Sequence, residues 1–548
     1  MPPEAGTSAT RLPVDIRQLP WINRLAGDYA WDFDRLAPFY GGAPTDPAAW
    51  RASIARAQQH QRPRAAVATL IQAQQHRRGA PREAIAAAAQ LADASTVAVV
   101  TGQQAGLFGG PLFTLLKALS AVRLAEQVRA TYHVPAVAVF WVDAEDHDWT
   151  EVRACGVLDG ESAHHVVALP DLPGAHTAAV AQVRLDESAD AAIATLLSVL
   201  PRTEFTADLA DRLRAAYRPG ASMAEAFATW IETLLGPRGL VVYDAADRDA
   251  KPLVADLFAR EVALGGTTAA KAAAAGEALA ALGYHAQVTP SPGSLALFSL
   301  RDGRLPIRTH EGGLLVGDQA ESVASLTERI HRSPGDFGPN VLLRPLVQDT
   351  LFPTVCYVAG PSELAYLGQL RDVYEAFGVP MPLVYQRASA TLIDANAGRF
   401  LARHELPFAA LKAQDEAALN RALAASLPPS VETSFAHALQ SMQARMAVVA
   451  AEVAAVDATL AGAAQSTLGR MQDDLQKLQG KVVQAAKRKD DVLRRQFRHA
   501  QAQAFPGGHP QERAVGLVYF VNRHGPALLD RLEETLPVEM GSHWVLTI

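Results

Sequence analysis

The chain has 548 residues, and at about 150 residues per domain this length suggests roughly three to four folding units. Fifty Lys and Arg residues against 57 Asp and Glu residues give a formal net charge of −7. This balance excludes a broadly basic surface that would hold nucleic acid or anionic lipid by charge alone. Hydrophobic residues make up 49% of the chain and charged residues 20%, so most of it is expected to fold.

The cysteine content points to a reducing compartment. Cys155 and Cys356 are the only two cysteines, too few for a disulfide framework or a four-thiolate zinc site. The first 18 residues contain no apolar signal-peptide segment, and no run of 18 uninterrupted apolar residues occurs. We therefore expect a cytoplasmic protein without a signal peptide or membrane span.

The N-terminal half predicts an α/β unit behind a helical leader. Residues 96–101 form a short, largely β-branched run that is followed by Gly102, which is typical of a strand buried on both faces. Pro111 then opens a segment with helical apolar spacing, and a second apolar run covers residues 137–142. Strand, turn, helix and strand together predict one βαβ unit.

Further strands are expected at residues 239–244, 340–343, 354–358 and 382–385, separated by helical patterns. Their order favours a doubly wound, mostly parallel sheet. About eighty residues lie between the second and third strands, too many for a crossover loop, so we predict an inserted subdomain.

A heptad pattern predicts a coiled coil near the C-terminus. Apolar residues recur four and three apart from Phe435 to Leu460, and the pattern changes phase after Gly462 before resuming at Leu468. One helix with a skip and a hairpin of two helices both fit this pattern. A dimerising arm is favoured over an amphipathic helix that lies on the globular body.

These patterns divide the chain into successive predicted regions. They are a helical leader (1–95), the first half of the core (96–156), the inserted subdomain (157–235), the second half of the core with further insertions (236–400), a linker (401–432), the coiled coil (433–505) and a segment that packs on the core (506–548).

The glycine-rich turn after the first strand, residues 101–111, is the first candidate ligand site. In a doubly wound sheet ligands bind beyond the carboxyl ends of the strands, where the next helix presents free N–H groups. Gln103 and Gln104 add side-chain donors and acceptors, so an anionic or nucleotide-like ligand is one interpretation. A tight turn that needs glycine only for its dihedral angles is the other. Lys117, one helical turn on, would reach a carboxylate or be solvated.

An acidic segment follows the second strand and is the strongest catalytic candidate. It contains Asp146, His147 and Asp148. A histidine beside carboxylates is held in one tautomer and kept basic, which suits a general base. Divalent-metal binding and a plain acidic helix cap are the rival interpretations.

Two later segments complete the set of candidates. Arg344 would clamp a carboxylate, while Asp349, Glu363 and nearby tyrosines, among them Tyr357, would bind hydroxyl groups or an amine. Arg387 and Ser389 follow the last strand, a place where phosphate-binding loops occur. Cys356 lies within an apolar strand and is interpreted as a structural thiol rather than a nucleophile.

The motifs TGQQAGLFGGP (101–111), EDHD (145–148), LRPLVQDTL (343–351), GPSE (360–363) and RASATLID (387–394) resemble, in this order and spacing, the BshC family of cysteine-adding enzymes of bacillithiol biosynthesis. The resemblance spans nearly the whole chain. It implies a Rossmann-like core with an inserted connecting-peptide subdomain, and a coiled-coil domain that supports a homodimer. It also implies the reaction, in which L-cysteine is condensed with the amino group of glucosaminyl-malate to form bacillithiol.

The resemblance implies that the residues of this chain at the positions of the family motifs form its site. The matched residues are Gln103, Gln104, Gly106, Gly109, Gly110, Asp146, His147, Asp148, Arg344, Gln348, Asp349, Gly360, Glu363 and Tyr366. The HxGH and KMSKS signatures of class I adenylating enzymes are absent from the corresponding turns. The activating cofactor is therefore left open, with ATP as a candidate and no metal predicted.

Two other functions fit the same sequence. One is a class I-like nucleotidyl- or aminoacyl-transfer enzyme that acts on another amine, and the other is a coiled-coil scaffold without catalysis. The enzyme interpretations require the glycine-rich turn, the acidic segment and the Arg344 segment to meet in one cleft. We expect small-molecule substrates and no nucleic-acid or membrane partner.

Overall fold

The computed structural model describes residues 11–301, 303–415, 417–425, 429–489 and 491–548. Residues 1–10 of the predicted leader lie outside the described residues. The chain forms two compact units, one comprising the described residues up to Leu392 together with His509–Ile548, and the other Ile393–Gly508. The four large regions predicted N-terminal to residue 400 thus fall almost entirely within the first unit.

The described strands, in chain order, are β1 (Arg11–Asp15), β2 (Val97–Gln104), β3 (Ala136–Asp143), β4 (Ala154–Leu158), β5 (His164–Ala168), β6 (Val241–Asp244), β7 (Ser294–Ser299), β8 (Leu305–His310), β9 (Gly313–Val316), β10 (Gln319–Glu321), β11 (Phe337–Pro339), β12 (Thr354–Ala359), β13 (Leu383–Gln386), β14 (Ser389–Ile393) and β15 (Ser542–Thr547).

The described α-helices, in chain order, are α1 (Arg24–Trp31), α2 (Pro47–Gln59), α3 (Arg64–Arg78), α4 (Arg82–Gln90), α5 (Leu112–Tyr132), α6 (Trp149–Val152), α7 (Ser188–Val199), α8 (Thr206–Ala216), α9 (Met223–Leu235), α10 (Ala255–Leu264), α11 (Thr267–Ala281), α12 (Val323–Arg332), α13 (Arg344–Leu351), α14 (Pro361–Leu367), α15 (Arg371–Phe377), α16 (Ala395–His404), α17 (Ala417–Ala425), α18 (Pro429–Val456), α19 (Ala461–Lys489), α20 (Asp491–Ala504), α21 (Gln511–Ala514), α22 (Leu517–His524) and α23 (Ala527–Thr535).

The central sheet has the strand order β13-β12-β2-β3-β6, and its neighbouring strands pair in parallel. Alternate side chains of β2 and β3 enter two different hydrophobic cores, one on each face of the sheet. Burial on both faces explains why these strands read as continuous apolar runs. The predicted doubly wound parallel core is confirmed.

The predicted strand over Asn340–Leu343 is wrong, because this segment is a turn that leads into α13. The Asn340 side chain accepts hydrogen bonds from the backbone N–H groups of Leu342 and Leu343 at 2.9 and 3.3 Å. This local bonding replaces a strand ladder, and Pro345 in the first helical turn favours the start of a helix. Arg344 therefore projects from the first residue of a helix, not from a strand.

Two antiparallel sheets and one three-stranded sheet surround the core. The sheet β10-β9-β8-β7-β11 precedes α13, and β4 pairs with β5. The order β1-β15-β14 joins the beginning and end of the described chain. Segment 157–235 contributes α7, α8 and α9, whose apolar faces share one hydrophobic core with α5. Its assignment as a separate inserted subdomain stays a prediction.

The second unit contains a hairpin of two long helices, α18 and α19, joined by a short turn at Ala458–Leu460. The interrupted heptad pattern therefore corresponds to a hairpin of two helices and not to one helix with a skip. Residues 401–432, predicted as a linker, include the end of α16, α17 and the start of α18. Within the described residues, no helix combines the length and hydrophobicity needed to cross a bilayer.

Candidate functional site

A cavity of about 600 Å³ lies in the first unit at the carboxyl ends of β2, β3 and β12. This is the edge at which a doubly wound sheet binds its ligands. The lining residues are Gly102, Gln103, Gln104, Phe113, Lys117, Trp141, Asp143, Glu145, Asp146, Glu151, Phe298, Arg304, Pro339, Asn340, Val341, Arg344, Tyr357, Gly360, Pro361, Ser362, Glu363, Tyr366, Arg387 and Arg513. The glycine-rich turn, the acidic segment and the Arg344 segment thus meet in one cleft.

Lys117 is a buried cation at the cavity floor, not a solvated helix residue. Its Nζ donates to the Gly102 carbonyl at 2.6 Å and to Gln103 Oε1 at 3.2 Å. It also forms an ion pair with Glu363 Oε2 at 2.5 Å. Burial lowers the pKa of Lys117, and the Glu363 charge opposes that shift. Lys117 links the end of β2 to the start of α14.

Glu363 is held by three groups at the N-terminus of α14. Besides Lys117, the Gly360 N–H donates to its Oε2 and the Tyr357 hydroxyl donates to its Oε1, each at 2.7 Å. Burial by itself would raise the pKa of Glu363, but Lys117 and these hydrogen bonds lower it overall. The carboxylate therefore stays charged, and the Gly360 corner is fixed against β12.

Arg344 is buried against the cavity and held in a defined orientation. Its Nη2 donates to the Tyr366 hydroxyl at 2.8 Å and its Nη1 donates to Gln348 Oε1 at 3.3 Å. The guanidinium also lies over the rings of Trp141 and Tyr357, 5.9 and 5.7 Å from their centroids. A planar, forked donor placed in this way suits a carboxylate ligand.

Asp143 ends β3 with its carboxylate beside the guanidinium. The nearest contact is 3.9 Å, from Asp143 Oδ2 to Arg344 Nε, which is an ion pair without a close hydrogen bond. Burial raises the pKa of Asp143, and Arg344 opposes the shift. Asp143 lies just before the EDHD motif, and the sequence assigned it no role, because periodicity cannot show which carboxylate of a cluster faces a cavity.

Asp146 lines the cavity, whereas His147 and Asp148 lie outside its lining residues. Gln104 Nε2 donates to Asp146 Oδ2 at 2.9 Å. His147 Nδ1 lies 2.7 Å from Arg304 Nη1, a donor, and 3.2 Å from Asp146 Oδ1, an acceptor. Asp148 caps α6 by accepting from the Glu151 N–H at 3.0 Å.

The remaining residues of the glycine-rich turn have different positions. Gly106 lines a neighbouring, smaller cavity, while Gly109 and Gly110 are buried. Gly109 has φ +91°, and a Cβ there would lie 2.7 Å from Leu517 and 2.8 Å from Trp230. Glycine at this position is required by packing and backbone conformation.

Gln348 and Asp349 lie behind Arg344 and do not line the cavity. Gln348 Nε2 donates to Asp349 Oδ1 at 2.9 Å, and the Tyr374 hydroxyl donates to Asp349 Oδ2 at 2.5 Å. Because a carboxylate only accepts, the Gln348 group that faces Asp349 must be its NH2 group. The amide oxygen Oε1 therefore faces Arg344. Their predicted place in substrate binding stays a prediction, with Arg344 as the group that reaches the ligand.

Arg387 is paired in the structure with a carboxylate that the sequence analysis did not single out. Its Nη1 and Nη2 donate to Glu512 at 2.9 and 2.7 Å, and both side chains are 3% exposed. Ser389 Oγ donates to Glu512 Oε2 at 2.9 Å and contacts His543 Nδ1 at 2.7 Å. Arg387 lines the cavity and Ser389 does not. Their predicted phosphate binding stays a prediction.

His543 is expected to make the fold sensitive to acid. Burial lowers the pKa of its imidazole from 6.5 to about 4, and Arg387 adds to this while Glu512 opposes it. Between these pH values the unfolded chain binds more protons, so the free energy of unfolding falls as the pH drops from 6.5 to 4, by about 3 kcal/mol in total.

Urea denaturation of wild type and His543→Gln at pH 7 and pH 4 measures this effect. The variant should lose about 3 kcal/mol less between the two pH values, since Gln keeps hydrogen-bonding groups but does not titrate. His524 has a similarly lowered pKa of about 4, so His524→Gln serves as a parallel control. An identical acid loss in wild type and His543→Gln would contradict the assignment.

The cavity also contains Arg304, Glu145 and Arg513, to which the sequence assigned no individual role. Arg304 comes from the β7–β8 turn and lies over Phe298, 4.0 Å from its ring centroid. Glu145 forms a buried ion pair with Lys251. Arg513 comes from the C-terminal segment. Glu145 belongs to the EDHD motif, but Arg304 and Arg513 lie far from it along the chain and belong to none of the quoted motifs. Only the resemblance over nearly the whole chain pointed to the regions of those two arginines.

Fold and cavity together define a class, the Rossmann-like α/β proteins with a polar cleft for small charged ligands. Within the described residues, no group of three or more His, Cys, Asp and Glu side chains is arranged to hold a metal ion. Residues 12–388 match the family model "Bacillithiol biosynthesis BshC, N-terminal Rossmann-like domain". Residues 390–548 match "Bacillithiol biosynthesis BshC, C-terminal coiled-coil domain".

Curated relatives match nearly the whole chain. A protein of Salinibacter ruber is 34% identical over 95% of both chains, and one of Koribacter versatilis is 34% identical over 95% of this chain and 96% of its own. A Geobacillus thermodenitrificans protein is 31% identical over 98% of this chain and all of its own. Each is named "Putative cysteine ligase BshC". This chain belongs to the BshC family of bacillithiol biosynthesis.

Proposed function

We propose that this protein joins the carboxyl group of L-cysteine to the amino group of glucosaminyl-malate and so forms bacillithiol. Family membership and the name of its relatives support a cysteine ligase. The observation that carries the proposal is Arg344, a buried guanidinium held by Tyr366 and Gln348 at the cavity wall. Its positive charge and the N–H groups that Tyr366 and Gln348 do not use suit a carboxylate of the malate group.

The chemistry requires activation of the cysteine carboxylate. A free carboxylate is a poor electrophile, so an oxygen must first be converted into a leaving group by a phosphoryl or nucleotidyl donor, for which ATP is our candidate. The sugar amine then attacks the carbonyl carbon, the C–N bond forms, the C–O bond to the leaving group breaks and the amine loses a proton. We assign the holding of the activated group to the Gln103 and Gln104 amides, because both line the cavity.

We assign acceptance of the amine proton to Asp143. It lines the cavity, lacks a close hydrogen bond to Arg344 and has a pKa raised by burial. Asp143→Asn is expected to lower kcat by about 100-fold or more. In wild type kcat should fall as the pH drops through the raised pKa, because protonated Asp143 cannot accept a proton.

His147→Ala, measured in parallel, decides between this assignment and the sequence-based one. A larger loss of kcat in His147→Ala than in Asp143→Asn would contradict the role of Asp143. Asp190→Asn, at an exposed position of α7, is the matched control and should keep the wild-type rate.

The proposed reaction is tested by incubating the full chain with L-cysteine and glucosaminyl-malate, with and without ATP. Thiol product is followed by mass, and AMP and pyrophosphate are measured beside it. Product that depends on ATP supports the proposal. Failure to form product with any phosphoryl or nucleotidyl donor would contradict it, and transfer to another amine would favour the broader transferase alternative.

We also propose that the protein forms a homodimer through the α18–α19 hairpin and works in the cytoplasm. The hairpin exposes large apolar side chains, among them Val456 at 85% and Leu478 at 51%. Exposed apolar side chains along a pair of long helices are typical of a helix-pairing surface. The two cysteines are free and buried, which suits a reducing compartment.

Leu478→Glu is expected to convert the dimer to a monomer, because a charge would have to be buried in the apolar interface. Analytical ultracentrifugation across a concentration series measures the mass. Gln476 is also exposed but points to the opposite side of the same helix, so Gln476→Glu should leave the dimer intact. A wild-type protein that is monomeric at all concentrations would contradict the proposed assembly.

A further inference from the structure

A side lobe of about 250 Å³ adjoins the main cavity. The two share Gln103, Gln104, Phe113, Glu151 and Arg513 as lining residues. The lobe alone adds Gly106, Pro111, Val152, Ala154, Cys155, Gly156, Ala514 and Gly516. A ligand in the lobe therefore has direct access to the compartment that contains Arg344 and Asp143.

The charges of the lobe are one guanidinium and one carboxylate, placed at its junction with the main cavity. Arg513 and Glu151 attract each other electrostatically, but the structure shows no ion pair between them. Arg513 lies over the Phe113 ring, 5.8 Å from its centroid, and Arg387 contacts the same ring. Arg387 is already paired with Glu512. Of the two arginines beside Phe113, we therefore expect Arg513 to bind a ligand anion.

The rest of the wall is small and largely apolar. Val152 and Cys155 are 2% and 3% exposed and face the lobe together with Ala514. Burial raises the pKa of the Cys155 thiol to about 12, so it remains a neutral thiol and does not act as a thiolate toward another sulfur. Such a wall accommodates a short apolar or thiol-bearing side chain.

We propose that the side lobe binds the amino-acid substrate as a zwitterion. Arg513 binds its α-carboxylate, Glu151 binds its α-ammonium group, and the wall at Val152 and Cys155 receives the –CH2SH side chain. Because Arg513 also lines the main cavity, the carboxylate faces the compartment in which Arg344 would hold the amine substrate. This inference rests on the proposed function, and it adds where the amino acid binds and which charges select it.

Calorimetric binding measurements test the roles of Arg513 and Glu151 separately. The full-length wild type, Arg513→Gln and Glu151→Gln are titrated calorimetrically, under reducing conditions, with L-cysteine, 3-mercaptopropionate and cysteamine. 3-Mercaptopropionate lacks the ammonium group and cysteamine lacks the carboxylate. Arg513→Gln should weaken L-cysteine and 3-mercaptopropionate at least tenfold, about 1.4 kcal/mol, and leave cysteamine within twofold. Glu151→Gln should weaken L-cysteine and cysteamine and spare 3-mercaptopropionate.

Controls and kinetics complete the test. Arg531→Gln and Glu161→Gln replace exposed residues away from both cavities and should bind L-cysteine as wild type does. In the ligation assay the two lobe variants should raise the KM for cysteine at least tenfold and leave the KM for glucosaminyl-malate within twofold. Arg513→Lys should recover part of the cysteine affinity, because it keeps the charge.

The outcomes distinguish this inference from the proposed function. Wild-type L-cysteine affinity in both variants, or losses that do not follow the missing charge, would overturn the lobe assignment even if bacillithiol is formed. If each variant loses affinity only for the ligands that carry the charge it should bind, an amino-acid site in the lobe is supported even if no thiol product appears. An absence of L-cysteine binding to the wild type at millimolar concentration would also overturn it.

Discussion

Arg344→Ala is expected to lower kcat/KM for the malate-bearing amine by about 100-fold or more, with most of the loss in KM. The guanidinium would make charge-assisted hydrogen bonds to the substrate carboxylate, and each such bond contributes about 1.5–3 kcal/mol. Arg344 is held in place by Tyr366 and Gln348 before the ligand arrives, so little ordering remains to be done on binding. Steady-state kinetics and calorimetric titration with L-malate measure the loss.

Arg344→Lys tests whether the forked geometry matters. Lysine keeps the charge but cannot donate in two parallel bonds, so it should restore only a small part of the affinity. Arg371→Ala, a surface arginine of α15, is the control and should behave as wild type. Wild-type L-malate affinity in Arg344→Ala, with an unchanged thermal unfolding midpoint, would contradict the assignment.

Arg387→Met is expected to lower the free energy of unfolding by about 3–5 kcal/mol, because it leaves the Glu512 carboxylate buried without its counterion. Glu512 also accepts from Ser389 and from the Ala390 N–H at 3.2 Å, so it is the acceptor around which this part of the fold is organised. Equilibrium urea denaturation at pH 7 measures the effect.

The double variant Arg387→Met with Glu512→Gln should lose less than the sum of the two single variants, since no unpaired charge remains. The exposed pair of Arg332 and Glu328 is the control, and breaking it should cost about 0.5 kcal/mol or less. Strict additivity at the buried pair would contradict the argument.

The same pair should respond to strong acid. Burial acts to raise the pKa of Glu512, but Arg387 and the hydrogen bonds lower it to about 2, below its usual 4.5. The unfolded chain therefore takes up the proton first. The stabilisation is complete above pH 4.5 and is lost as the pH falls toward 2, a range that begins at the lower end of the window assigned to His543.

Arg387 illustrates what a local motif cannot show. Its position after β13 fitted a phosphate-binding loop, and its partner Glu512 lies 125 positions further along the chain. Lys117 is similar, since the sequence left open whether it reaches a carboxylate or is solvated and could not show that it pairs with Glu363. Charged residues are paired by tertiary contacts, and one sequence contains too many opposite charges to identify the pairs.

The sequence by itself determined the parallel core, the helix that starts after Pro111 and the heptad-bearing helices, because their signals are periodic patterns of burial. The order and spacing of its motifs also determined the family. The tertiary structure decided that Asn340–Leu343 is a turn, that Asp143 and Asp146 face the cavity while His147 does not, and that Arg513 joins the same wall. Those outcomes depend on which side chains from distant segments share a low-dielectric space, and local periodicity carries no information about them.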